Sequence, residues 1–315
     1  MSDDVMVSVQ CITYNHEKYI RKALDGFVMQ KTNFKFEVIV HDDASTDGTA
    51  DIIREYAKKY DFIKPIFQKE NQYSKGVSFG PKYIHPLMQG RYIAFCEGDD
   101  YWTDPYKLQV LYDYMSAHKE CSMCCHAYEN IEANTEKVIG EIHTLQSEGT
   151  ITIQKAIKYD NPSQLASQMF RRECIIDKPE IYLGRGVGDY TVLLYAATLG
   201  EIHYIDKVMA RHRIAADGSW TNRVYRNRRL RSKHDENMIG FLMDFDKFYN
   251  NQYHEYVAPK IEEFTFDILE TNGNYKAMVK HNSFNTLTRK RKLLIRIGVL
   301  FPNLINKVFD KHDFS

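Results

Sequence analysis

The sequence predicts an α/β fold, a mostly parallel sheet flanked by helices, with a helical C-terminal extension. Three observations carry that expectation. Over the first 120 residues, apolar runs of strand length alternate with amphipathic runs of helix length. That alternation buries parallel strands through right-handed crossovers. Two of the apolar runs then stop at clustered carboxylates, and ligands of such sheets bind outside the carboxyl ends of the strands.

Taken in order, residues 5–12 read as a strand. Residues 17–30 read as a helix, with Ile20, Leu24, Phe27 and Val28 on one stripe. A strand at 38–41 runs into Asp42 and Asp43. Residues 49–60 form a helix with Ile52, Ile53, Tyr56 and Ala57 inward, and 62–68 a strand. A short helix at 81–88 precedes a strand at 92–96 and a helix at 105–118, with Pro105 in its first turn. After Cys121 the pattern changes to shorter strands near 123–128, 137–142 and 165–171. A helix over 189–199 and strands at 202–206 and 208–212 complete one domain spanning residues 1–220. Residues 221–315 form the extension, helical from about 222 to 286.

The 315 residues are enough to bury a large core. Forty-two basic and 42 acidic residues cancel, which excludes a polyanion binder and leaves nucleic acid off the partner list. The charge is uneven, however. Arg211, Arg213, Arg223, Arg226, Arg228, Arg229, Arg231 and Lys233 face Asp217 alone. The 22 tyrosines and 17 phenylalanines suit either sugar contacts or a Tyr-rich core. Cys121, Cys124, Cys125 and His126 crowd together without the second pair that a zinc site needs, so they read as a buried, reduced strand. Reduced thiols, an acidic N-terminus without an apolar leader, and no apolar run near the ~20 residues of a membrane span predict a cytoplasmic chain. The tail is the exception. Four basic residues from Arg289 precede an apolar segment broken by Gly298 and Pro302, which suits peripheral contact of residues 289–311 with the inner face of the cell membrane, or a helix packed on the domain.

Chemistry concentrates at the strand ends. Glu97, Asp99 and Asp100, with Gly98 among them, follow an apolar run. Clustered carboxylates suit Mg²⁺ or Mn²⁺, hard cations that take one or two carboxylates and complete their shell with substrate phosphates. The first strand exits through Thr13-Tyr14-Asn15-His16, which suits Tyr14 against a base ring with its neighbours on the polar edge, or an ordinary turn. In His41-Asp42-Asp43-Ala44-Ser45-Thr46-Asp47-Gly48-Thr49, one of Thr46, Asp47 and Thr49 caps the next helix. Capping leaves Asp42 and Asp43 to accept from an imide N–H or a ribose hydroxyl. No Gly-x-Gly-x-x-Gly and no P-loop signature occurs.

Three segments together resemble the signatures of the family 2 glycosyltransferases: Val-Ser-Val-Gln-Cys-Ile-Thr-Tyr-Asn, Val-His-Asp-Asp-Ala-Ser-Thr-Asp-Gly-Thr and Glu-Gly-Asp-Asp-Tyr-Trp. Their order and spacing agree over residues 5–130, and more weakly to about 215. The resemblance implies a Rossmann-like GT-A fold and an inverting, metal-dependent transfer from a nucleotide sugar. It implies a nucleotide-binding half at 1–120 and an acceptor half at 121–220. Asp43 then matches the base-binding residue, with Tyr14, Thr13 and Asn15 beside it and Asp42 next to it. Glu97-Gly98-Asp99 stands in place of the family's Asp-x-Asp motif, so Glu97 reaches the ribose and Asp99 the metal. Glu97 departs from the usual Asp, and Asp100 is a second candidate ligand. Asp189, after Gly186-Val187-Gly188, matches the catalytic base, although an acid there also caps a helix. Arg211 and Arg213 fall beside the diphosphate and His212 beside the metal, unless they form a solvated strand edge. Trp220 is a sugar platform or a core anchor. The acceptor implied is a glycan or a lipid-linked carrier in bacterial polysaccharide synthesis. Two other readings compete: a nucleotidyltransferase, which would want a glycine-rich loop near the N-terminus, and a non-catalytic nucleotide-sugar-binding subunit.

Overall fold

A central strand of a parallel sheet is covered on both faces, and residues 7–11 of the first strand, Ser8 and Gln10 included, are buried without alternation. The computed structural model describes residues 4–158, 163–183, 188–214, 216, 224, 227–302 and 304–305. Two compact units divide it: Met1–Pro179 with Asp189–Asp217, and Glu180–Gly188 with Gly218–Ser315.

The strands of the first unit are β1 (Val5–Thr13), β2 (Lys35–Asp42), β3 (Ile63–Phe67), β4 (Tyr92–Phe95), β5 (Tyr101–Trp102), β6 (Cys121–Glu132), β7 (Val138–Ile142), β8 (Gly149–Ile151), β9 (Met169–Arg171) and β10 (Glu201–Ile214). They form one ten-stranded sheet, ordered β3-β2-β1-β4-β9-β6-β10-β5, with β7 on β6 and β8 on β10. β3, β2, β1 and β4 run parallel, Val9 lying opposite both Val38 and Ala94. β6 and β10 also run parallel. Between these blocks the short β9 runs antiparallel to β4 and to β6.

The main helices of this unit are α1 (Ile20–Val28), α2 (Thr49–Lys59), α3 (Lys107–Ala117), α4 (Ile153–Lys158), α5 (Glu173–Ile176) and α6 (Gly188–Leu199, whose first residue groups with the second unit). Several bounds differ from the sequence expectation. The segment at 81–88 is a π turn at Gly80–Ile84 and a 3₁₀ turn at His85–Leu87, because Pro81 and Pro86 withdraw backbone donors. Pro105 lies ahead of α3 rather than inside it. Residues 165–167 make a 3₁₀ turn capped by the Gln164 side chain, leaving only 169–171 as strand. The two strands expected at 202–212 are one, β10, which bulges between Ile205 and Ala210.

The core packs Val7, Val9 and Cys11 of β1 and Val38 and Val40 of β2 against Leu24 and Phe27 of α1. Full burial of such a side chain is worth about 1.5–3 kcal/mol. The Phe27 ring meets Trp102 edge-on at 4.9 Å, and Trp102 Nε1 donates to the Ala166 carbonyl at 2.9 Å. All six cysteines are unpaired and buried, three of them on β6.

Lys107 is foreign to this core. It is wholly buried, its Nζ has no partner among the described residues, and it sits 4.0 Å from the Trp102 ring centroid. Burial pushes its pKa from 10.5 down to about 7. The unfolded chain therefore holds a proton that the folded chain releases between those values, and stability rises with pH across that window. Lys107→Met is expected to stabilise the unit by on the order of 1–4 kcal/mol at neutral pH, with the gap over wild type narrowing toward about pH 10. Urea titrations at several pH values check this; a variant less stable than wild type at neutral pH refutes it.

The second unit holds α7 (Arg228–Phe248), α8 (His254–Thr271), α9 (Tyr275–Lys280) and α10 (Arg289–Leu300). Asn227, Asn274 and Thr288 cap α7, α9 and α10 with their side chains. Phe266, Tyr275, Met278, Phe284 and Ile295 form its apolar cluster. Gly298 does not interrupt the tail helix. It lies within α10, where a Cβ would stand 2.7 Å from the Tyr275 ring, so glycine lets the helix seat on that ring.

Candidate active site

Three neighbouring parallel strands, β2, β1 and β4, deliver their loops to one edge of the sheet. Backbone bonds fix the loops together: Asp43 N–H donates to the Thr13 carbonyl at 3.0 Å and Gly98 N–H to the Ile12 carbonyl at 2.9 Å. Gly98 is required by close approach. A Cβ there would stand 2.8 Å from Thr13 Cβ and 3.0 Å from His16 Nδ1.

The β1 and β2 exits are stitched by side chains. Asn15 takes the left-handed conformation at φ 54°, accepts the Thr46 N–H at 2.8 Å and donates its own N–H to Ser45 Oγ at 2.8 Å. Asp47 accepts the Thr49 N–H at 3.1 Å, but the cap position of α2 is Gly48, which has no side chain to offer, so none of Thr46, Asp47 and Thr49 is its cap. Asp42 and Asp43 are each 2% exposed. Asp42 accepts from the Ser45 hydroxyl and N–H, while burial raises its pKa. Asp43 accepts from Gln72 N–H at 2.7 Å and Tyr73 N–H at 3.0 Å. Asn15 and both acids therefore shape the loops of this edge. Tyr14 stands out from it, 43% exposed.

At the β4 exit the three carboxyls crowd one another. Burial, then Asp99 and then Asp189 push Glu97 up to about 8. Burial, Asp99 and Glu97 raise Asp100 well above its ordinary value. Asp100 Oδ1 accepts the Arg213 N–H at 2.9 Å, and its Oδ2 accepts from Gln164 Nε2 at 3.3 Å. Antiparallel pairing of β5 with β10 brings Arg213 there. Asp99 lies 4.0 Å from His16 Nε2. His212 Nδ1 meets Asn130 Oδ1 at 3.1 Å; if the ring donates that bond, Nε2 keeps its lone pair. Burial holds His212 down to about 4, against the pull of Asp99. A neutral imidazole beside a carboxylate is a donor set for a divalent cation.

Among the described residues, no three His, Cys, Asp or Glu side chains gather closely enough to hold a metal ion. A cation that completes its shell with substrate phosphates needs fewer. The raised carboxyls of Glu97 and Asp100, together with the buried, unpartnered Thr13 Oγ1 and His16 Nδ1, make a cluster that a cation and a polar ligand fit. Both Asp100 oxygens already accept hydrogen bonds, from the Arg213 N–H and from Gln164.

Asp189 opens α6, with its Oδ1 accepting the Tyr190 N–H at 3.0 Å. Tyr190 anchors that end: it is wholly buried and its hydroxyl donates to the Ile157 carbonyl at 2.7 Å. Asp189 is close enough to Glu97 to help raise its pKa. Of the two arginines, Arg213 differs from expectation. Arg211 pairs with Glu129 at 2.6 Å and reaches the Tyr101 hydroxyl at 3.2 Å. The Arg213 guanidinium, expected at a diphosphate, is buried between the Tyr19 and Tyr101 rings and paired with Glu136 at 2.8 Å. Its place is structural, because a buried guanidinium is held by its own partners. Gly186, Val187, Asp217, Trp220, Arg223, Arg226 and residues 306–311 of the tail lie outside the described residues.

The family model of glycosyl transferase family 2 matches residues 8–177, more than half of the chain. The chain belongs to that family. Among the relatives of this family 2 chain, the uncharacterized protein Rv1520 of Mycobacterium tuberculosis is 38% identical over 224 residues, 71% of this chain and 62% of that protein. This chain thus spans less than two thirds of that relative's length. WfaP of Escherichia coli, named as a UDP-Glc:α-D-GlcNAc-diphosphoundecaprenol β-1,3-glucosyltransferase, is 34% identical over 98 residues, 31% of this chain and 37% of that protein. The family 2 chain shares its fold with Staphylococcus aureus TarS bound to UDP-GlcNAc, at TM-score 0.55 and 19% identity over 98% of this chain and 91% of that one. It also shares it with the Pyrobaculum calidifontis mannosyltransferase PcManGT bound to GDP-Man and Mn²⁺, at TM-score 0.53 and 15% identity, covering 100% and 89%.

Two residues at this family 2 site escape sequence reasoning. His16, which read as part of a turn, lies beside Asp99. Gln164 reaches Asp100 across 64 residues of chain. No local pattern signals either.

Proposed function

We propose that the chain is an inverting glycosyltransferase, moving a sugar from a nucleoside diphosphate sugar, with UDP as the carrier, to a hydroxyl of a glycan or lipid-linked acceptor in cell-surface polysaccharide synthesis. One observation supports this most: Asp99 and Asp189, far apart in sequence, both lie near enough to Glu97 for their charges to act on it. WfaP, by its name, uses UDP-Glc and a diphosphoundecaprenol-linked acceptor, and TarS carries UDP-GlcNAc.

Tyr14 stacks on the base, while Thr13, Asn15, Asp42 and Asp43 shape the pocket that receives it. Glu97 binds the ribose, and Arg211 lies toward the diphosphate. Asp99, with His212 and Asp100 behind it, would hold Mn²⁺ or Mg²⁺. Such a cation, when bound, offsets charge growing on the leaving diphosphate. Asp189 takes the acceptor hydroxyl's proton as its oxygen bonds to the anomeric carbon and the bond to the nucleoside diphosphate breaks. Attack from the opposite face inverts that centre. The reaction runs in the cytoplasm, at the inner face of the membrane where a lipid-linked acceptor lies.

The test is a panel of UDP- and GDP-sugars incubated with the full chain and Mn²⁺, scored by nucleoside diphosphate release. One donor is expected to be turned over well above background, and the activity to vanish with chelator. Release from none, with no nucleotide binding by calorimetry, would overturn the reading. Pyrophosphate release from a nucleoside triphosphate would instead mark a nucleotidyltransferase.

A further inference from the structure

The outward face of α10 belongs to none of the machinery above. Leu293 and Leu300 lie on it one heptad apart, 60% and 73% exposed. Phe301 and Leu304, just past the helix end, are each 59% exposed. Large apolar side chains so bare, and so close together, mark an interaction surface. The same helix, Arg-Lys-Arg-Lys-Leu-Leu-Ile-Arg-Ile-Gly-Val-Leu, has five cations and no carboxylate. Arg289 and Arg296 share the helical face of the two leucines, and Lys290 and Lys292 flank it. Among the described residues, only Arg291 of these cations is paired with a carboxylate, Glu270 at 2.8 Å. Lys292 Nζ donates to the Asn285 carbonyl, and Lys292 and Arg296 lie over the Phe284 ring. Among the described residues, no carboxylate pairs with Arg289, Lys290, Lys292 or Arg296. The opposite face, through Ile295 and Gly298, is seated in the unit's apolar cluster. The bare stripe is therefore held in place on a folded helix.

An apolar stripe framed by cations is what a helix lying in the plane of a membrane interface requires. We propose that α10, with Phe301 and Leu304, docks on an anionic bilayer, its leucines in the acyl boundary and Arg289, Lys290 and Arg296 among the lipid phosphates. Charge complementarity selects this occupant. A second copy of the chain would set one cationic helix against another, and like charges in one interface are unfavourable. The inference does not depend on the sugar chemistry.

Co-sedimentation of the full chain with vesicles of phosphatidylcholine, alone or with about 30% phosphatidylglycerol, tests it. Binding is expected to be at least ~10-fold tighter on the anionic vesicles at about 0.1 M NaCl and largely lost at about 0.5 M. Leu293→Asp with Leu300→Asp should weaken anionic-vesicle binding at least ~10-fold. Arg289→Glu with Lys290→Glu should remove the preference for anionic lipid. Both pairs change exposed residues, and far-UV circular dichroism should match wild type. Equal binding to both vesicle types, or leucine variants that bind as wild type does, overturns the proposal. So does concentration-dependent self-association in the absence of lipid that the leucine pair abolishes.

Discussion

Asp189→Asn is expected to leave donor binding within about threefold and to lower turnover by ~10²–10⁴-fold, the range of a lost general base. The substitution suits the question because asparagine can still accept the Tyr190 N–H, which Asp189 Oδ1 now accepts at 3.0 Å. It also leaves the buried Tyr190 anchor in place, so the start of α6 should persist. What is lost is proton acceptance, together with the negative charge that helps raise Glu97. Turnover with the identified donor and acceptor, and calorimetric affinity for UDP, separate the two effects. Near-normal turnover would place the base elsewhere; lost UDP affinity would mean that Asp189 shapes the donor pocket.

The second large effect lies with the cation. Asp99→Asn should weaken Mn²⁺-dependent UDP binding on the order of 10²-fold, and Asp100→Asn distinctly less. Asp100 is occupied by the Arg213 N–H and by Gln164, and an asparagine oxygen can still serve the first. Asp99 lies 4.0 Å from His16 Nε2 and close enough to His212 to act on its charge. The opposite ranking in Mn²⁺ titrations would reverse the assignment. The pH dependence follows from Glu97, raised from 4.5 to about 8 by burial, Asp99 and Asp189. A cation favours the ionised carboxylate, so below about pH 8 its binding must expel a proton. Mn²⁺ affinity should therefore climb between about pH 6 and pH 8, by up to about tenfold per unit if one proton leaves. Titrations in buffers of different ionisation enthalpy should register that proton. A flat profile would mean that Glu97 is ionised before the cation arrives.

Much of this edge was legible because strand ends are local events. An apolar run that stops at acid says where β2 and β4 end and what they present. The division of labour among the acids was not legible. Asp42 and Asp43 look alike in sequence, yet one turns back to Ser45 and the other reaches the 72–73 turn. Arg213 reads as a cation for phosphate, but Tyr19, Tyr101 and Glu136 arrive from other segments to enclose it. The same limit hid Gln164 and the role of His16, whose neighbours are set by tertiary packing. Local rules also erred where two prolines broke the turn at 80–87, and at Gly298, where packing on Tyr275 outweighs a weak helix propensity.

The three residues of β9 have a consequence for how such an enzyme can diversify. β4 and β6 do not pair with each other; Phe170 lies opposite Ile93 on one side and Met123 on the other. This small splice alone carries the hydrogen-bond ladder from the four-stranded block to the pair formed by β6 and β10. A slip of one residue would turn its side chains to the wrong layer, so its own register is tightly constrained. Insertions beyond it, between Arg171 and α6, escape that constraint. Under the proposed function, they would re-aim Asp189 toward a new acceptor while the strand ends assigned to the nucleotide stay as they are.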